Sequence, residues 1–268
     1  MLRCARRLHR CSAMKAVILA AGCATRLRPY SDDTPKTLLS VGGVPILRRT
    51  ITNLLRCGFD QFVIGTGYLE HMVREAVGRW FPNLDVTFVS NPDFRSTNNG
   101  YSLLLTQQAV GDDGFVLLDG DVVFDVSVVE TLIEQGPDCL AVRSVGELGL
   151  EEMKVVADAN DRIVAISKQV PVRGAMGESV GIEWFSASTS RKLYAALNER
   201  IHGQGLVNEY YEAAFQQVID EGVSLVGVDI GTKYATEIDT IEDLRAANAR
   251  LATRPAFTVE AENFRMAV

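Results

Sequence analysis

Short apolar, β-branched runs alternate with segments of helical periodicity along the first half of this chain, and that rhythm predicts a mostly parallel sheet covered by helices on both faces. The run KAVIL, from Lys15 to Leu19, ends in Ala20, Ala21 and Gly22, as a buried parallel strand leading into a loop does. After Pro45, the residues Ile46, Leu47, Ile51, Leu54 and Leu55 recur at helical spacing and stop at Gly58. The pattern continues with a strand at 62–66, a helix at 71–80, a strand at 86–89, a helix opening at 101–105 and a strand at 115–118. It then predicts short strands near 153–156, 163–167 and 180–185 and helices near 190–201 and 209–220. A strand near 225–228 and a helix at 241–251 close the series.

With 268 residues, 47% of them hydrophobic, the chain can bury a full core, and residues 14–253 read as a single α/β domain followed by a tail at 254–268. The first thirteen residues hold four arginines, no acid and no apolar h-region. They read as a leader outside the domain, with Met14 as the functional start and an Arg-rich transit-like segment as the alternative. A formal charge of −7 argues against a nucleic-acid or anionic-membrane partner. No uncharged run of eighteen apolar residues occurs, which predicts no membrane span. Five cysteines, odd in number and without CxxC spacing, predict free thiols, no zinc site and a cytoplasmic location. A homodimer is compatible with all of this.

Ligands of such sheets bind beyond the carboxyl ends of the strands, which selects the loops 20–36, 66–69 and 119–125. The first reads LAAGCATRLRPYSDDTPKTLLSVGGVPIL: small residues admit phosphate oxygens to the backbone, and Arg26 and Lys36 can neutralise them. An ordinary turn with surface cations is the alternative. In Asn98, Asn99, Gly100, Tyr101, Ser102 and Leu103, the amides could read a base edge or cap a helix. Asp119, Gly120 and Asp121 end a strand, where a carboxylate beside a triphosphate suits Mg²⁺, although Asp-Gly is also a common turn. Asp239 stands before the last helix, where Thr240 and Asp243 also read as cap chemistry.

Taken together, these strings resemble the nucleotidyltransferase family of sugar-1-phosphate nucleotidyltransferases and phosphocholine cytidylyltransferases. Its pattern, LAAGxGxRLxPxTxxxPKxLxxVxGxPIL, is matched at Leu19, Ala20, Ala21, Gly22, Arg26, Leu27, Pro29, Pro35 and Lys36, and again at Leu38, Val41, Gly43, Pro45, Ile46 and Leu47. Ala24 replaces its second glycine and Ser31 its threonine. If position 24 requires positive φ, alanine costs roughly 1 kcal/mol.

The resemblance implies a nucleotide-diphospho-sugar transferase type of Rossmann-like fold and transfer of CMP from CTP to a small phosphorylated or phosphonate acceptor. It implies triphosphate contacts from Arg26 and Lys36, and nucleotide contacts from Leu19, Ala20, Ala21, Gly22, Asn98, Asn99, Gly100 and Ser102. Asp121 and Asp239 match the family's metal-binding GD and EIDTxED segments, and so imply Mg²⁺. Lys154 and Lys168 stand as acceptor-phosphate candidates. A cationic acceptor head needs carboxylates and aromatic faces. The clusters Glu183-Trp184-Phe185 and Glu209-Tyr210-Tyr211-Glu212 offer both, while strand alternation could equally make Trp184 core. Sugar- or inositol-1-phosphate transfer with CTP, UTP or GTP stays open, as does a noncatalytic nucleotide-binding module.

Overall fold

Lys15–Ala20 (β1) takes the centre of a nine-stranded sheet because its side chains alternate between two buried faces. Ala16, Ile18 and Ala20 pack into one helical layer, and Val17 and Leu19 into the other. The computed structural model describes residues 15–146 and 148–252; the predicted leader and tail lie outside them.

After β1 come a small hairpin, Ser40–Val41 (β2) and Val44–Pro45 (β3), then Ile46–Arg56 (α1), Gln61–Thr66 (β4), Glu70–Trp80 (α2) and Asp85–Ser90 (β5). Asn99–Leu105 (α3), Gln107–Val110 (α4), Phe115–Asp119 (β6), Val122–Phe124 (β7), Val126–Gln135 (α5) and Cys139–Arg143 (β8) follow. The second half adds Lys154–Ala157 (β9), Ile163–Ser167 (β10), Gly177–Phe185 (β11), Ala187–Asn198 (α6) and Glu212–Asp220 (α7). Val226–Asp229 (β12), Ala235–Glu237 (β13) and Ile241–Ala252 (α8) complete it. Of these, β2, β3, α4, β7, α5, β8 and β13 were not expected from the sequence pattern.

β1 runs parallel to β4 and β6, and β4 to β5, so their carboxyl ends share one edge. β11 enters antiparallel between β6 and β8, which brings its amino end to that same edge. Helices α1, α2 and α5 cover one face, and α3, α6 and α7 the other. A smaller apolar cluster seats Leu244, Ala247 and Leu251 of α8 against Leu27, Val41 and Val123. No helix among the described residues is long and apolar enough to cross a membrane, and Cys23, Cys57 and Cys139 are free thiols.

Candidate active site

A cavity of about 460 Å³ opens where the strand ends converge. Its first wall follows from the loop after β1. Gly120 N–H donates to Leu19 O at 2.8 Å, and a side chain at Gly120 would stand 2.5 Å from that oxygen, so only glycine lets the two strand ends close together. Ala24 adopts φ 48°, ψ 51°, the left-handed conformation in which alanine is strained. The turn Thr25–Leu27 that follows carries Arg26 into the cavity. The loop 66–69 does not line it: Tyr68 N–H donates to Ala21 O at 3.0 Å, bracing the first loop from behind.

Asp121 and Asp239, far apart in sequence, meet because β7 and β13 form a two-stranded ribbon. Glu237 pairs with Val122, and Ile238 N–H donates to Asp121 O at 3.1 Å. Lys36 Nζ lies between the two carboxylates, 2.5 Å from Asp121 Oδ2 and 2.6 Å from Asp239 Oδ1, and Arg26 reaches Asp239 Oδ2 at 2.8 Å. Burial pulls the Lys36 ammonium down, but the two carboxylates outweigh it and leave it above the ordinary lysine value. Burial likewise pushes Asp239 up, and Lys36 and Arg26 bring it below the usual carboxylate range. The cap chemistry read at Thr240 is also present, but Asp243 performs it, accepting from Thr240 N–H and Oγ1–H at 2.8 Å each. Asp239 is thereby left free to face the cavity.

Asp121 Oδ1 is buried without a hydrogen-bond partner among the described residues. No cluster of three or more His, Cys, Asp or Glu able to hold a metal occurs there. Two converging carboxylates with a spare oxygen fit Mg²⁺, which takes one or two carboxylates and completes its shell with phosphate oxygens and water.

The second wall is the start of α3. Asn98 caps it, its side chain accepting from Asn99 N–H at 2.8 Å, and Asn99 Oδ1 accepts from Tyr211 N–H at 3.0 Å. Both amides and Ser102 line the cavity. Gly100 stands behind them, where an added Cβ would lie 2.8 Å from Glu209 O.

The third wall is acidic. Glu212 lines the cavity with a buried Oε2 that has no partner among the described residues, and burial pushes its carboxyl up to about 7. Beside it, Lys168 Nζ sits 4.7 Å from the Tyr210 ring centre. Asp119 is held well above the usual range by burial and by the neighbouring Asp121, Glu212 and Glu237, and burial lifts Glu237 to about 8.

Several acceptor candidates are corrected by this geometry. Lys154 is buried, and its ammonium donates to the carbonyls of Gly149, Leu150 and Glu152 at 3.1–3.3 Å, so it fastens a loop. Trp184 faces the α1, α2 and α5 layer as core, because alternate residues of β11 point to opposite sides. Glu183 and Tyr211 are fully buried behind the cavity, the former accepting from Ser179 Oγ at 3.2 Å and the latter donating to Asp119. Arg143, Glu178 and Glu237 line the cavity but were not among the expected site residues, while Tyr210 of the expected 209–212 cluster lines it as well. Glu237 was findable, two residues before Asp239 at the end of β13. Arg143 was not, since it ends β8, which the pattern did not reveal.

The profile of the MobA-like NTP transferase domain matches residues 16–213. The chain belongs to this family. Among relatives of this MobA-like protein, the CMP-5'-(3-aminopropyl)phosphonate synthase of Streptomyces rubellomurinus is 31% identical over 254 residues, 89% of this chain and 39% of that one. The choline-phosphate cytidylyltransferase of Haemophilus influenzae is 30% identical over 57% of this chain and 62% of its own. The match thus spans less than two thirds of either relative. The 2-aminoethylphosphonate cytidylyltransferase of Lancefieldella rimae is 25% identical over 86% of this chain and 90% of its own. In fold, the MobA-like chain superposes on the CTP:phosphocholine cytidylyltransferase of Streptococcus pneumoniae with a TM-score of 0.72 at 22% identity, covering 90% of this chain and all of that one.

Proposed function

We propose that this protein transfers CMP from CTP to a small phosphorylated or phosphonate amine, releasing pyrophosphate, in the cytoplasm. The observation that carries the reading is one cavity in which Arg26, Asp121 and Asp239 share the lining with Glu212, Tyr210 and Lys168. The first group, with Lys36, suits a metal-bound triphosphate. The second suits a cationic head, because a buried carboxylate oxygen without a hydrogen bond is costly until a cation pairs with it, and an aromatic face adds to the attraction. By their names, one of the three relatives above makes CMP-5'-(3-aminopropyl)phosphonate and the other two are cytidylyltransferases of choline-phosphate and 2-aminoethylphosphonate.

An acceptor oxygen attacks the α-phosphorus in line. The new phosphorus–oxygen bond forms as the bond to the bridging oxygen of the β-phosphate breaks, and pyrophosphate leaves. A phosphate or phosphonate anion is already nucleophilic, so no protein base is required and catalysis reduces to orientation and charge neutralisation. Arg26 and Lys36 orient the triphosphate and neutralise the charge that builds on the leaving group. Asp121 and Asp239 would hold Mg²⁺, which supplies further neutralisation of phosphate oxygens. Asn99 has Oδ1 engaged by Tyr211 N–H, leaving Nδ2 to donate to the acceptor atoms of cytosine.

The test crosses CTP, UTP, GTP and ATP with phosphocholine, 2-aminoethylphosphonate, glucose 1-phosphate and inositol 1-phosphate, reading pyrophosphate release with Mg²⁺. CTP with an amine-bearing acceptor is expected to give the highest kcat/KM. A preference for glucose or inositol phosphate would overturn the acceptor assignment, and a preference for another triphosphate the CMP assignment.

A further inference from the structure

Lys36 does something in this structure that neutralising a triphosphate does not require. Its side chain is only 13% exposed, and its ammonium is held at 2.5 and 2.6 Å between one oxygen of Asp121 and one of Asp239. These carboxylates are the ones assigned above to Mg²⁺. A magnesium ion needs oxygens at about 2.0–2.1 Å, and it competes for this pair with an ammonium already in contact with both, since two cations a few ångströms apart repel.

We propose that Lys36 is a placeholder: in the nucleotide-free protein its ammonium occupies the cation position between Asp121 and Asp239, and a divalent ion enters only with the triphosphate that draws Lys36 away. This rests on the reading of Asp121 and Asp239 as metal ligands. A metal arriving alone must break both ion pairs of Lys36 and offers the ammonium no anion in return. A metal–triphosphate complex brings anionic oxygens for Lys36 and also for Arg26, which holds Asp239 Oδ2 at 2.8 Å. The exchange needs only side-chain rotation. Pro35 precedes Lys36, Leu38 N–H donates to Pro35 O at 2.8 Å, and Thr37 is buried, so the backbone of the turn Lys36–Leu38 is fixed. Asp121 Oδ1, buried and without a partner among the described residues, is spare capacity for a cation of higher charge than the one Lys36 supplies.

The experiment measures Mn²⁺ binding without nucleotide, by the loss of the free-ion electron paramagnetic resonance signal, in the full chain. Lys36→Met is expected to bind one Mn²⁺ at least tenfold more tightly than wild type, and Asp121→Asn in the Lys36→Met background is expected to remove that gain. Equal affinity in wild type and Lys36→Met, or binding by neither, overturns the proposal. Should Lys36→Met fail to fold, Lys36→Gln replaces it. The wild-type titration also decides alone in one direction: tight, stoichiometric nucleotide-free binding that Asp121→Asn abolishes overturns the placeholder role. Because occupancy is read with Mn²⁺ alone, the result is independent of the pyrophosphate assay that judges CMP transfer.

Discussion

The Tyr211 phenol donates to Asp119 Oδ2 at 2.8 Å, which ties the residue preceding α7 to the last residue of β6. Tyr211 is fully buried and Asp119 partly buried at the cavity wall, and burial with the neighbouring Asp119, Glu183 and Glu212 holds the Tyr211 hydroxyl well above its ordinary value, as a donor. Gly181, at φ +67°, makes the room: a Cβ there would stand 2.8 Å from the same Asp119 oxygen.

Tyr211→Phe should therefore destabilise the protein by about 1–3 kcal/mol, because a partly buried carboxyl loses its donor while the ring still fills the core. Urea unfolding at neutral pH measures this. An unchanged midpoint and slope would show that Asp119 does not depend on the phenol.

Glu212 couples acceptor binding to pH. Burial pushes its carboxyl up to about 7, against the downward pull of a backbone hydrogen bond and of Lys168. The ionised form pairs with a cation, so KM for an amine-bearing acceptor should fall as pH rises through about 7. Glu212→Gln should raise that KM and flatten its pH profile while leaving the KM for CTP nearly unchanged. In the folded state the carboxyl keeps a proton that the unfolded chain releases near 4.5. The unfolded state thus binds fewer protons between about 4.5 and 7, and stability falls as pH rises through that window. Relative to Glu212→Gln, wild type should lose on the order of 2–3 kcal/mol between pH 4.5 and pH 8. A pH-independent difference between the two proteins would remove Glu212 as the titrating group.

Asp121→Asn should lower turnover by two or more orders of magnitude with the far-ultraviolet spectrum unchanged, since an amide is a poor Mg²⁺ ligand and gives Lys36 a weaker partner. Near-normal turnover with Mg²⁺ would take the metal away from Asp121.

The first half of the sheet and the loops that carry Arg26, Lys36 and Asp121 were legible because they are local. KAVIL and AAG are contiguous, and Arg26, Lys36 and Asp121 all follow recognisable strand ends. Asp239 was legible only by resemblance, since what brings it to Asp121 is the pairing of β7 with β13, two three-residue strands without a periodic signal of their own. The segment VSVVETLIEQ hid α5 because its valines suit a strand as well as a helix, and with α5 went β8 and Arg143. The cavity wall around Glu212 was the least legible. Glu183 and Trp184 share β11 but face opposite ways, and neither reaches the cavity, whereas Glu178 does because the antiparallel entry of β11 brings its amino end to the strand-end edge.

At Ala24 the structure meets the condition that the sequence left open. Its φ of 48° is the left-handed conformation in which a Cβ crowds the following carbonyl, at roughly 1–2 kcal/mol for an L-residue. Two hydrogen bonds hold it there: Ser31 Oγ donates to Ala24 O at 2.7 Å, and Leu27 N–H donates to the same oxygen at 3.0 Å. Glycine at this position removes the crowding but gives the unfolded chain more freedom, which offsets part of the gain. Ala24→Gly should therefore stabilise by no more than about 1 kcal/mol, or some 2–4 °C in Tm for a chain of this size. Ala24→Val, β-branched and less able to adopt positive φ, should lower Tm and raise the KM for CTP, because Ala24 opens the turn that carries Arg26. Shifts of the same sign in the two variants would mean that backbone conformation at residue 24 is not what limits this loop.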